Sequence, residues 1–400
     1  MTDLTLLDPS GATSTVPLDD HAGYARPTTP LRSRVAYAAA HVVPKTAGDN
    51  TPGRPADIDW DETLAFRRHV YGWGLGVADA MDTAQRNMGL DAAATRELIA
   101  RSAEVAREEG GSVVVGVNTD HVDDESIGLD AVIDAYRSQL AFTEEQGAGP
   151  VLMASRHLAR AASSAEDYRR VYRAVLASAQ TPVVLHWLGT AFDPQLEGYF
   201  GSVDWREASR VLLEIIAEAP DKVAGVKMSL LDAESEVAVR EQLPEGVRMF
   251  TGDDFNYVGL IGGADVPAAT QPAPTPGAER QHSDALLGAF AALTPVASAA
   301  IQALDAGEPD RYLEILAPTE ALSRQVFAAP TYYYKTGVAF LSWLNGHQRA
   351  FQMVGGLHGA RSLPHLSEIV RLANASRALE RPELAAQRWH SMLRVNGVEA

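Results

Sequence analysis

One lysine lies at the end of a short apolar run. Residues 223–226 read Val-Ala-Gly-Val, and Lys227 follows them directly. A lysine at the end of a buried strand is partly desolvated, which disfavours the ammonium form and lowers its pKa. A neutral amine attacks a carbonyl carbon, and the resulting iminium accepts electrons from a neighbouring carbon–carbon bond. The alternative is a structural lysine that pairs with Asp253 or Asp254, or that extends its ammonium group to solvent.

The segments around Lys227 alternate between short apolar runs and longer amphipathic stretches. Strands are predicted over 34–43, 74–81, 112–118, 150–155, 182–188, 223–229 and 247–254. Runs rich in β-branched residues, with few alternating polar positions, indicate strands buried on both faces and therefore a parallel sheet. No glycine-rich phosphate-binding motif follows the first strand, which argues against a dinucleotide-binding sheet. We predict an α/β fold, namely a (β/α)8 TIM barrel with a C-terminal helical extension.

The predicted chain organisation has three parts. Residues 1–30 are rich in Asp, Thr and Pro and are predicted to form an N-terminal arm outside the core. The barrel is predicted over 31–283 and the helical extension over 284–400. The eighth strand is the least well defined, and it lies either within 258–268 or after the loop at 266–281.

Composition excludes several classes of protein. The 400 residues carry a formal net charge of −18, which disfavours binding to nucleic acid or to an anionic membrane surface. The chain has no cysteine, so disulfides, thiolate metal ligands and a cysteine nucleophile are excluded. The sequence shows no signal peptide and no apolar run long enough to span a membrane. We therefore expect a cytoplasmic protein whose partner is a small-molecule substrate.

Polar residues at the C-terminal ends of the strands are the candidates for chemistry, because active sites of (β/α)8 barrels lie there. In strand order they are His41; Asp79, Asp82 and Thr83; Asn118, Asp120 and His121; Ser155, Arg156 and His157; His186; Lys227; and Asp253 and Asp254. His186 can act as an acid or base, or it can be a core histidine bonded to a neighbouring strand. His41, Asp79 and His186 could together bind a metal ion, although no short-spaced HxH or HExxH motif supports this. The aromatic segment 330–335 is predicted to serve in packing or in a subunit contact.

The segment 223–254 resembles part of the dihydrodipicolinate synthase / N-acetylneuraminate lyase family of class I aldolases. In that family the sixth strand ends in Gly-(Ile/Val)-Lys and the seventh in Gly-Asp-Asp or a similar triplet. Here the two motifs are Gly225-Val226-Lys227 and Gly252-Asp253-Asp254. The resemblance implies that Lys227 forms a Schiff base with pyruvate or another 2-oxo acid, and that Gly252 and Asp253 line the substrate pocket. It also implies a homo-oligomer, either a dimer or a tetramer.

Two departures from the family pattern indicate a divergent branch. After the second strand the family has Gly-Thr-Thr-Gly-Glu, whereas this chain retains Thr83 but has Ala84 and Arg86 at the second threonine and glutamate positions. The family's fifth strand ends in a tyrosine that shuttles protons, and His186 stands in its place. Histidine can do the same work with a pKa nearer neutrality. Because the carboxylate-binding threonines are altered, the resemblance does not define pyruvate as the substrate.

The sequence therefore predicts a carbon–carbon lyase of the class I aldolase type, acting on a 2-oxo acid or a keto-sugar derivative. Lys227 is the predicted nucleophile and His186 the predicted acid or base. The predicted substrate-binding residues are Thr83, Asp82, Gly252, Asp253, Asp254, Asn118 and His41. No cofactor is expected, because the iminium itself accepts the electrons. The alternatives are a Schiff-base dehydratase of a deoxy-keto sugar acid, a metal-dependent sugar isomerase or aldolase, and a non-catalytic sugar-binding barrel.

Overall fold

The computed structural model describes residues 3–267 and 281–399. The strands in these residues are β1 (Asp3–Leu7), β2 (Thr13–Pro17), β3 (Ala36–Ala39), β4 (Gly76–Asp79), β5 (Val113–Val117), β6 (Gly149–Met153), β7 (Val183–Leu188), β8 (Val223–Ser229), β9 (Arg248–Thr251) and β10 (Asp284–Leu287). Strands β3 to β10 form a closed barrel of eight parallel strands, in which β10 pairs with both β3 and β9. The predicted TIM barrel is confirmed.

Helices follow the barrel strands and cover the outside of the barrel. They are α1 (Trp60–Gly72), α2 (Ala92–Glu109), α3 (Leu129–Glu145), α4 (Arg156–Ala161), α5 (Ala165–Ser178), α6 (Trp205–Glu218), α7 (Ala233–Arg240), α8 (Tyr257–Gly262), α9 (Ala289–Ala292) and α10 (Thr294–Asp305). Five more helices form the extension: α11 (Pro309–Leu316), α12 (Thr319–Val326), α13 (Tyr334–Leu344), α14 (Leu363–Ala375) and α15 (Pro382–Val395). None of the described helices is both long and apolar enough to cross a membrane.

Local sequence signals explain where these helices begin and end. Asp91 caps α2 by accepting a hydrogen bond from the backbone of Ala94, and Gly110 ends that helix in a left-handed conformation. Ser164 and Asp167 form a reciprocal capping box at the start of α5. Each cap fixes the point at which the chain leaves a loop at the mouth of the barrel, so the strand ends are held in defined positions.

The eighth strand of the barrel, β10, follows the segment 266–281, which the sequence predicts to be a loop. Residues 268–280 of this loop lie outside the described residues, and helix α8 occupies the earlier of the two predicted positions. The predicted barrel boundary at residue 283 therefore falls too early, because β10 begins at Asp284 and completes the hydrogen-bonded ring. Strand β10 reads Asp-Ala-Leu-Leu and contains no β-branched residue, so its sequence gives a weak strand signal.

The interior of the barrel is filled by small and branched side chains. Ala39, Ala78, Val114, Val151, Val184, Phe250 and Leu286 belong to one buried cluster inside the ring. Along each strand, alternate residues point inward and outward, so the residues between these positions pack against the helices. This alternation determines which of the polar residues near the strand ends face the mouth of the barrel.

The N-terminal segment is part of the folded core, contrary to the prediction of an arm outside it. Strands β1 and β2 form an antiparallel hairpin, and Leu4 is fully buried. The backbone amide of Leu7 donates a hydrogen bond to Ser367 Oγ of α14 at 2.7 Å. The indole of Trp389 in α15 donates to the carbonyl oxygen of Thr5, also at 2.7 Å. The hairpin therefore packs on the C-terminal extension.

Candidate active site

Lys227 lies on the inward face of β8, near the C-terminal end of the strand. In the sheet register it is paired with His186 of β7 on one side and with Phe250 of β9 on the other. Its residue exposure is 6 %. Gly252 makes room for the side chain, because a Cβ atom at residue 252 would lie only 2.9 Å from Lys227 Cε. The glycine of the second motif therefore has a steric role beside the lysine.

The surroundings of Lys227 favour a neutral amine. Burial lowers its pKa from the ordinary lysine value, and the carboxylates of Asp82 and Asp254 act in the opposite direction. Within the described residues, Nζ forms no hydrogen bond and has no carboxylate oxygen within 4.0 Å. A buried amine without a fixed partner can approach a bound carbonyl group without first breaking a salt bridge.

Asp254 faces the same space as Lys227. Burial raises the pKa of its carboxyl group to about 8, while the hydrogen bond from the Ala289 amide and the charge of Lys227 oppose this rise. That amide donates to Asp254 Oδ1 at 2.9 Å. Near neutral pH the carboxyl group is therefore largely protonated and can donate a proton.

Asp253, which precedes Asp254, accepts hydrogen bonds from the backbone of the following turn. Its Oδ1 accepts hydrogen bonds from the amides of Phe255 and Asn256 at 2.8 and 3.1 Å. Its Oδ2 accepts from the Asn256 side chain at 2.8 Å. The structure thus brings Asp254 to Lys227, and it uses Asp253 to hold the loop after β9.

His186 is a buried, neutral imidazole. Nε2 lies 3.2 Å from Ser229 Oγ, and Nδ1 is buried with no hydrogen-bond partner among the described residues. Burial, followed by the positive charge of Lys227, holds the pKa of His186 well below 6.5. The expectation of a pKa near neutrality is therefore wrong for this histidine, because the barrel interior disfavours the imidazolium form.

Thr83 contacts a tyrosine of the C-terminal extension. Its Oγ1 lies 2.8 Å from the hydroxyl of Tyr334, the first residue of α13. Tyr334 stacks on Phe327 with ring centroids 4.4 Å apart. Burial raises the pKa of Tyr334 well above its ordinary value, so its hydroxyl keeps its proton. Segment 330–335 was predicted to serve in packing; Tyr334 packs, and in addition it brings a hydroxyl group to the mouth of the barrel.

Lys335 is a second buried lysine beside this mouth. Its Nζ donates a hydrogen bond to the carbonyl oxygen of Tyr332 at 3.0 Å. Burial lowers its pKa to about 8, although the carboxylates of Asp82 and Asp193 act to raise it. The sequence analysis missed Lys335. A usable signal was the scarcity of lysine, since the chain has only four, namely Lys45, Lys222, Lys227 and Lys335.

A small polar cavity adjoins these groups. Its volume is about 180 Å³, and its lining includes Asp82, Asn118, Arg156, His157 and Asp193. Asn118 Oδ1 accepts a hydrogen bond from the Thr119 amide at 2.7 Å, which leaves the amide nitrogen of the side chain available. Arg156 Nε donates to Asp193 Oδ2 at 2.7 Å. Asp82 lines this cavity and also acts on Lys227, so the cavity and the lysine belong to one region.

Other polar residues near the strand ends form structural contacts within the barrel wall. Arg86 is buried and forms an ion pair with Asp120, and its Nη1 donates to the carbonyl oxygen of Gly116. His121 Nδ1 lies 2.9 Å from Gln139 Nε2. The arginine that replaces the family glutamate therefore connects the ends of β4 and β5.

The alternative metal site of His41, Asp79 and His186 does not form among the described residues. Arg67 and Ser102 bind the Asp79 carboxylate, because Asp79 points outward from β4 toward α1 and α2. His186 instead faces the barrel interior. The three side chains do not converge.

His41 also does not reach Lys227, contrary to its predicted role in substrate binding. Its Nε2 lies 2.9 Å from Gln348 Oε1, and its ring packs edge-on against Phe66 of α1. Strand β3 ends at Ala39, so the alternation of the strand no longer determines the direction of His41.

The largest concavity found lies at the opposite end of the barrel. It has a volume of about 1210 Å³, and its lining includes Val113, Gly149, Val223 and Arg248, the first residues of four strands. Chemistry in (β/α)8 barrels occurs at the other end, where Lys227, Asp254 and Tyr334 lie. The candidate active site is therefore the smaller, polar region at the C-terminal ends of the strands.

Solved dihydrodipicolinate synthases share this fold. The protein from Oceanobacillus iheyensis is 13% identical with a TM-score of 0.60, and the match covers 85% of this chain and 95% of that chain. The protein from Bacteroides thetaiotaomicron is 15% identical with a TM-score of 0.61, covering 84% and 97%. The protein from Thermotoga maritima is 13% identical with a TM-score of 0.61, covering 87% and 100%. At these identities the likeness shows the fold.

Sequence comparison gives a second result. No curated protein matches the chain. One family model, described as "Protein of unknown function (DUF993)", matches residues 4–398. Because this match spans nearly the whole chain, the protein belongs to the DUF993 family, and its (β/α)8 barrel has the fold of the dihydrodipicolinate synthases.

Proposed function

We propose that this protein is a class I aldolase-type lyase in which Lys227 forms a Schiff base with a 2-oxo acid or a keto-sugar derivative. The observation that carries the proposal is the buried amine of Lys227, which lies on the inward face of β8 with a lowered pKa and no fixed partner among the described residues. The fold likeness to proteins named as dihydrodipicolinate synthases supports the reaction class.

The proposed reaction proceeds through an iminium. The Lys227 amine adds to the carbonyl carbon of the substrate, and the carbinolamine loses water to give the iminium. The hydroxyl group on the β carbon then loses its proton, and the bond between the α and β carbons breaks. The β carbon leaves as an aldehyde, while the electron pair of the broken bond passes into the iminium and gives an enamine. Protonation of the enamine carbon followed by addition of water releases the ketone product and restores the amine. The protein needs no external oxidant or reductant for these steps.

Asp254 and the paired hydroxyls of Thr83 and Tyr334 can move the protons, and His186 lies next to Lys227 in the sheet register. The protonated Asp254 carboxyl can donate to the departing hydroxyl group of the carbinolamine, since its pKa of about 8 keeps the proton available near neutrality. The hydroxyls of Thr83 and Tyr334 form a hydrogen-bonded pair that can pass a proton without either group becoming charged. Burial disfavours protonation of His186, so its Nδ1, which has no partner among the described residues, can instead accept a hydrogen bond from the substrate.

The polar cavity that Asp82 links to Lys227 favours a substrate with several oxygen atoms. Arg156 and Lys335 provide positive charge for a substrate carboxylate, while Asp82 and Asn118 can bind hydroxyl groups. With alanine at residue 84, the second threonine hydroxyl that the family uses for the keto-acid carboxylate is missing. We infer that the carboxylate is bound by these cations instead, and that the substrate is larger than pyruvate.

Borohydride trapping with a panel of substrates tests this proposal. The protein is incubated with pyruvate, longer 2-oxo acids and keto-sugar acids, reduced, and weighed by intact-protein mass spectrometry. We expect an added mass with at least one compound, and its loss in Lys227→Gln but not in the matched variant Lys45→Gln, whose lysine forms an exposed ion pair with Asp57. If no compound is trapped while Lys227→Gln still binds the same ligands, the protein is a sugar-binding barrel.

Product analysis of the trapped compound separates the two Schiff-base reactions. A lyase splits the carbon skeleton into two carbonyl compounds. A dehydratase keeps every carbon atom and releases water. The panel member that forms an adduct is therefore followed by mass spectrometry of its products, and retention of the whole carbon skeleton would replace the lyase by the dehydratase.

A further inference from the structure

Two histidines and a glutamate from distant parts of the chain meet outside the barrel mouth. His69 lies in α1, His347 follows α13, and Glu380 precedes α15. One candidate metal-ligating atom from each residue lies within 4.8 Å of those from the other two. The side chains are 13, 16 and 20 % exposed, so an ion can reach them from solvent.

The geometry of this cluster is close to that of a metal site. Glu380 Oε1 lies 2.7 Å from His347 Nε2 and 3.7 Å from His69 Nε2. In tetrahedral zinc coordination, metal–ligand bonds of about 2.1 Å place the ligand atoms roughly 3.4 Å apart. The two observed separations lie on either side of this value. Small rotations of the side chains would therefore place all three atoms around one ion.

His69 is left with an unsatisfied nitrogen. Its Nε2 is buried and has no hydrogen-bond partner among the described residues, although it faces Glu380. A buried polar atom without a partner is costly, and a bound cation would satisfy it.

The surrounding structure holds the ligands in place. The side chain of Asn345 donates to the carbonyl oxygen of Ala378 at 3.1 Å and accepts from the Glu380 amide at 2.9 Å. It thereby fixes the Glu380 segment next to His347. Arg26 and Arg381 lie near enough to act on His69. Their positive charges weaken the affinity of the cluster for a cation, whereas the negative charge of Glu380 strengthens it.

We propose that His69, His347 and Glu380 bind a divalent cation of the zinc class and thereby tie α1 of the barrel to the C-terminal extension. Two imidazoles and one carboxylate are a ligand set found in zinc and iron(II) sites, and three protein ligands leave a further position for water. The site lies close after the helix that carries Tyr334. It is independent of the Schiff-base chemistry, because none of its ligands lies beside Lys227.

Metal binding by the full-length protein tests this proposal. After treatment with a chelator, the protein is titrated with Co²⁺ and then with Zn²⁺ in competition. We expect one equivalent of Co²⁺ to produce the visible absorption of a low-symmetry site, and Zn²⁺ to displace it and raise the Tm. His69→Ala and Glu380→Gln should each weaken binding by more than about tenfold, since even outer-shell changes commonly cost that much.

His21→Ala is the matched control, because His21 is exposed and remote from the cluster in sequence; it should bind as the native protein does. A second measurement uses only the native protein, so it holds even if a variant fails to fold. Zn²⁺ should protect His69 and His347 from diethylpyrocarbonate while leaving His21 reactive. Three results would overturn the proposal. They are a titration without a one-to-one end point, binding that survives in both ligand variants, and protection of other histidines in place of His69 and His347.

Discussion

At the residue scale, the candidate site depends on two groups whose burial favours their neutral forms. The pKa of the Lys227 amine is lowered and that of the Asp254 carboxyl is raised, in both cases mainly by burial. A neutral amine is the nucleophile, and a neutral carboxyl group is a proton donor. Burial therefore shifts both groups toward the protonation states that the reaction needs.

Replacement of Asp254 tests its role as proton donor. Asp254→Asn keeps an oxygen that can accept the hydrogen bond from the Ala289 amide, so the fold should persist. Without the acidic proton, we expect iminium formation to slow by about a hundredfold, the usual contribution of a general acid. The rate is measured by rapid quench with borohydride.

The same experiment has a pH dependence with a defined sign. In the native protein the rate should fall as the pH rises through about 8, because Asp254 loses its proton there. This fall should be absent in Asp254→Asn. Asp253→Asn is the comparison variant, since that carboxylate accepts hydrogen bonds from the turn at Phe255 and Asn256. It should keep the fall in rate, moved to lower pH because the charge of Asp253 helps to raise the pKa of Asp254. Equal losses in the two variants would contradict the assignment.

Polar residues at the C-terminal ends of the strands are the candidate site residues predicted from the sequence. Whether such a residue reaches the site depends on whether its side chain points into the barrel. Lys227 and His186 lie on inward positions of paired strands, so both side chains point into the barrel. Asp79 is also near a strand end, but the neighbouring Ala78 points inward and Asp79 therefore points toward the helices. His41 lies two residues beyond the end of its strand. A strand end read from composition alone is not precise enough to give these directions.

At the scale of elements, helix α13 completes the mouth of the barrel. It places Tyr334 against Thr83, 251 residues away in sequence. No local pattern in 330–335 indicates this contact, because a run of aromatic residues is equally compatible with ordinary packing. The barrel strands, in contrast, were predicted because their apolar runs repeat with β/α spacing. Long-range contacts between the extension and the barrel have no such repeat.

Removal of one hydroxyl group tests the contribution of α13. Tyr334→Phe keeps the ring stacked on Phe327 and deletes the hydrogen bond to Thr83. We expect a loss of about 1–3 kcal/mol in the free energy of unfolding, the usual penalty for a buried polar group that loses its partner. The rate of product release should fall by about tenfold or more. Tyr333→Phe, on the preceding residue, should leave both quantities unchanged in urea unfolding and single-turnover assays.

Helix α7 carries a buried carboxyl group that should make stability depend on pH. Glu236 Oε1 accepts a hydrogen bond from Ser283 Oγ at 2.7 Å, just before β10. Burial raises the pKa of Glu236 from 4.5 to about 8. A raised folded-state pKa means that the free energy of unfolding decreases as the pH rises from about 4.5 to about 8.

Glu236→Gln removes this titration while keeping the shape of the side chain. Between pH 5 and pH 8, the free energy of unfolding should decrease less in the variant than in the native protein. This window of about 3 pH units lies between the unfolded-state and folded-state pKa values of Glu236. Urea unfolding at a series of pH values measures the difference. A difference between the two proteins that does not change with pH would show that Glu236 is ionised throughout.

At the scale of the whole molecule, one chain supplies every group placed in the candidate site. Lys227, His186 and Asp254 come from the barrel, whereas Tyr334 and Lys335 come from the extension. The domain boundary predicted at residue 283 separates parts that act together. The extension therefore contributes to the candidate active site, which the β/α repeat alone could not indicate.

This arrangement predicts the effect of dilution. We propose, from the family resemblance, that the protein forms a homo-oligomer, a dimer or tetramer. Since one chain provides the whole site, the rate of adduct formation per chain should stay constant when dilution dissociates the oligomer, as followed by mass photometry beside the trapping assay. A rate that falls with the oligomeric fraction would show that a neighbouring chain contributes to the site.

The identity of the lysine that forms the adduct tests the central claim most directly. The chain has four lysines, and two of them, Lys227 and Lys335, are buried at the mouth. After trapping and reduction, a modified lysine resists trypsin. If Lys227 is the nucleophile, the label lies on peptide 223–240 and none lies on 325–349. A label on 325–349 would make Lys335 the nucleophile, and the absence of a label on either peptide would remove the Schiff base from the mechanism.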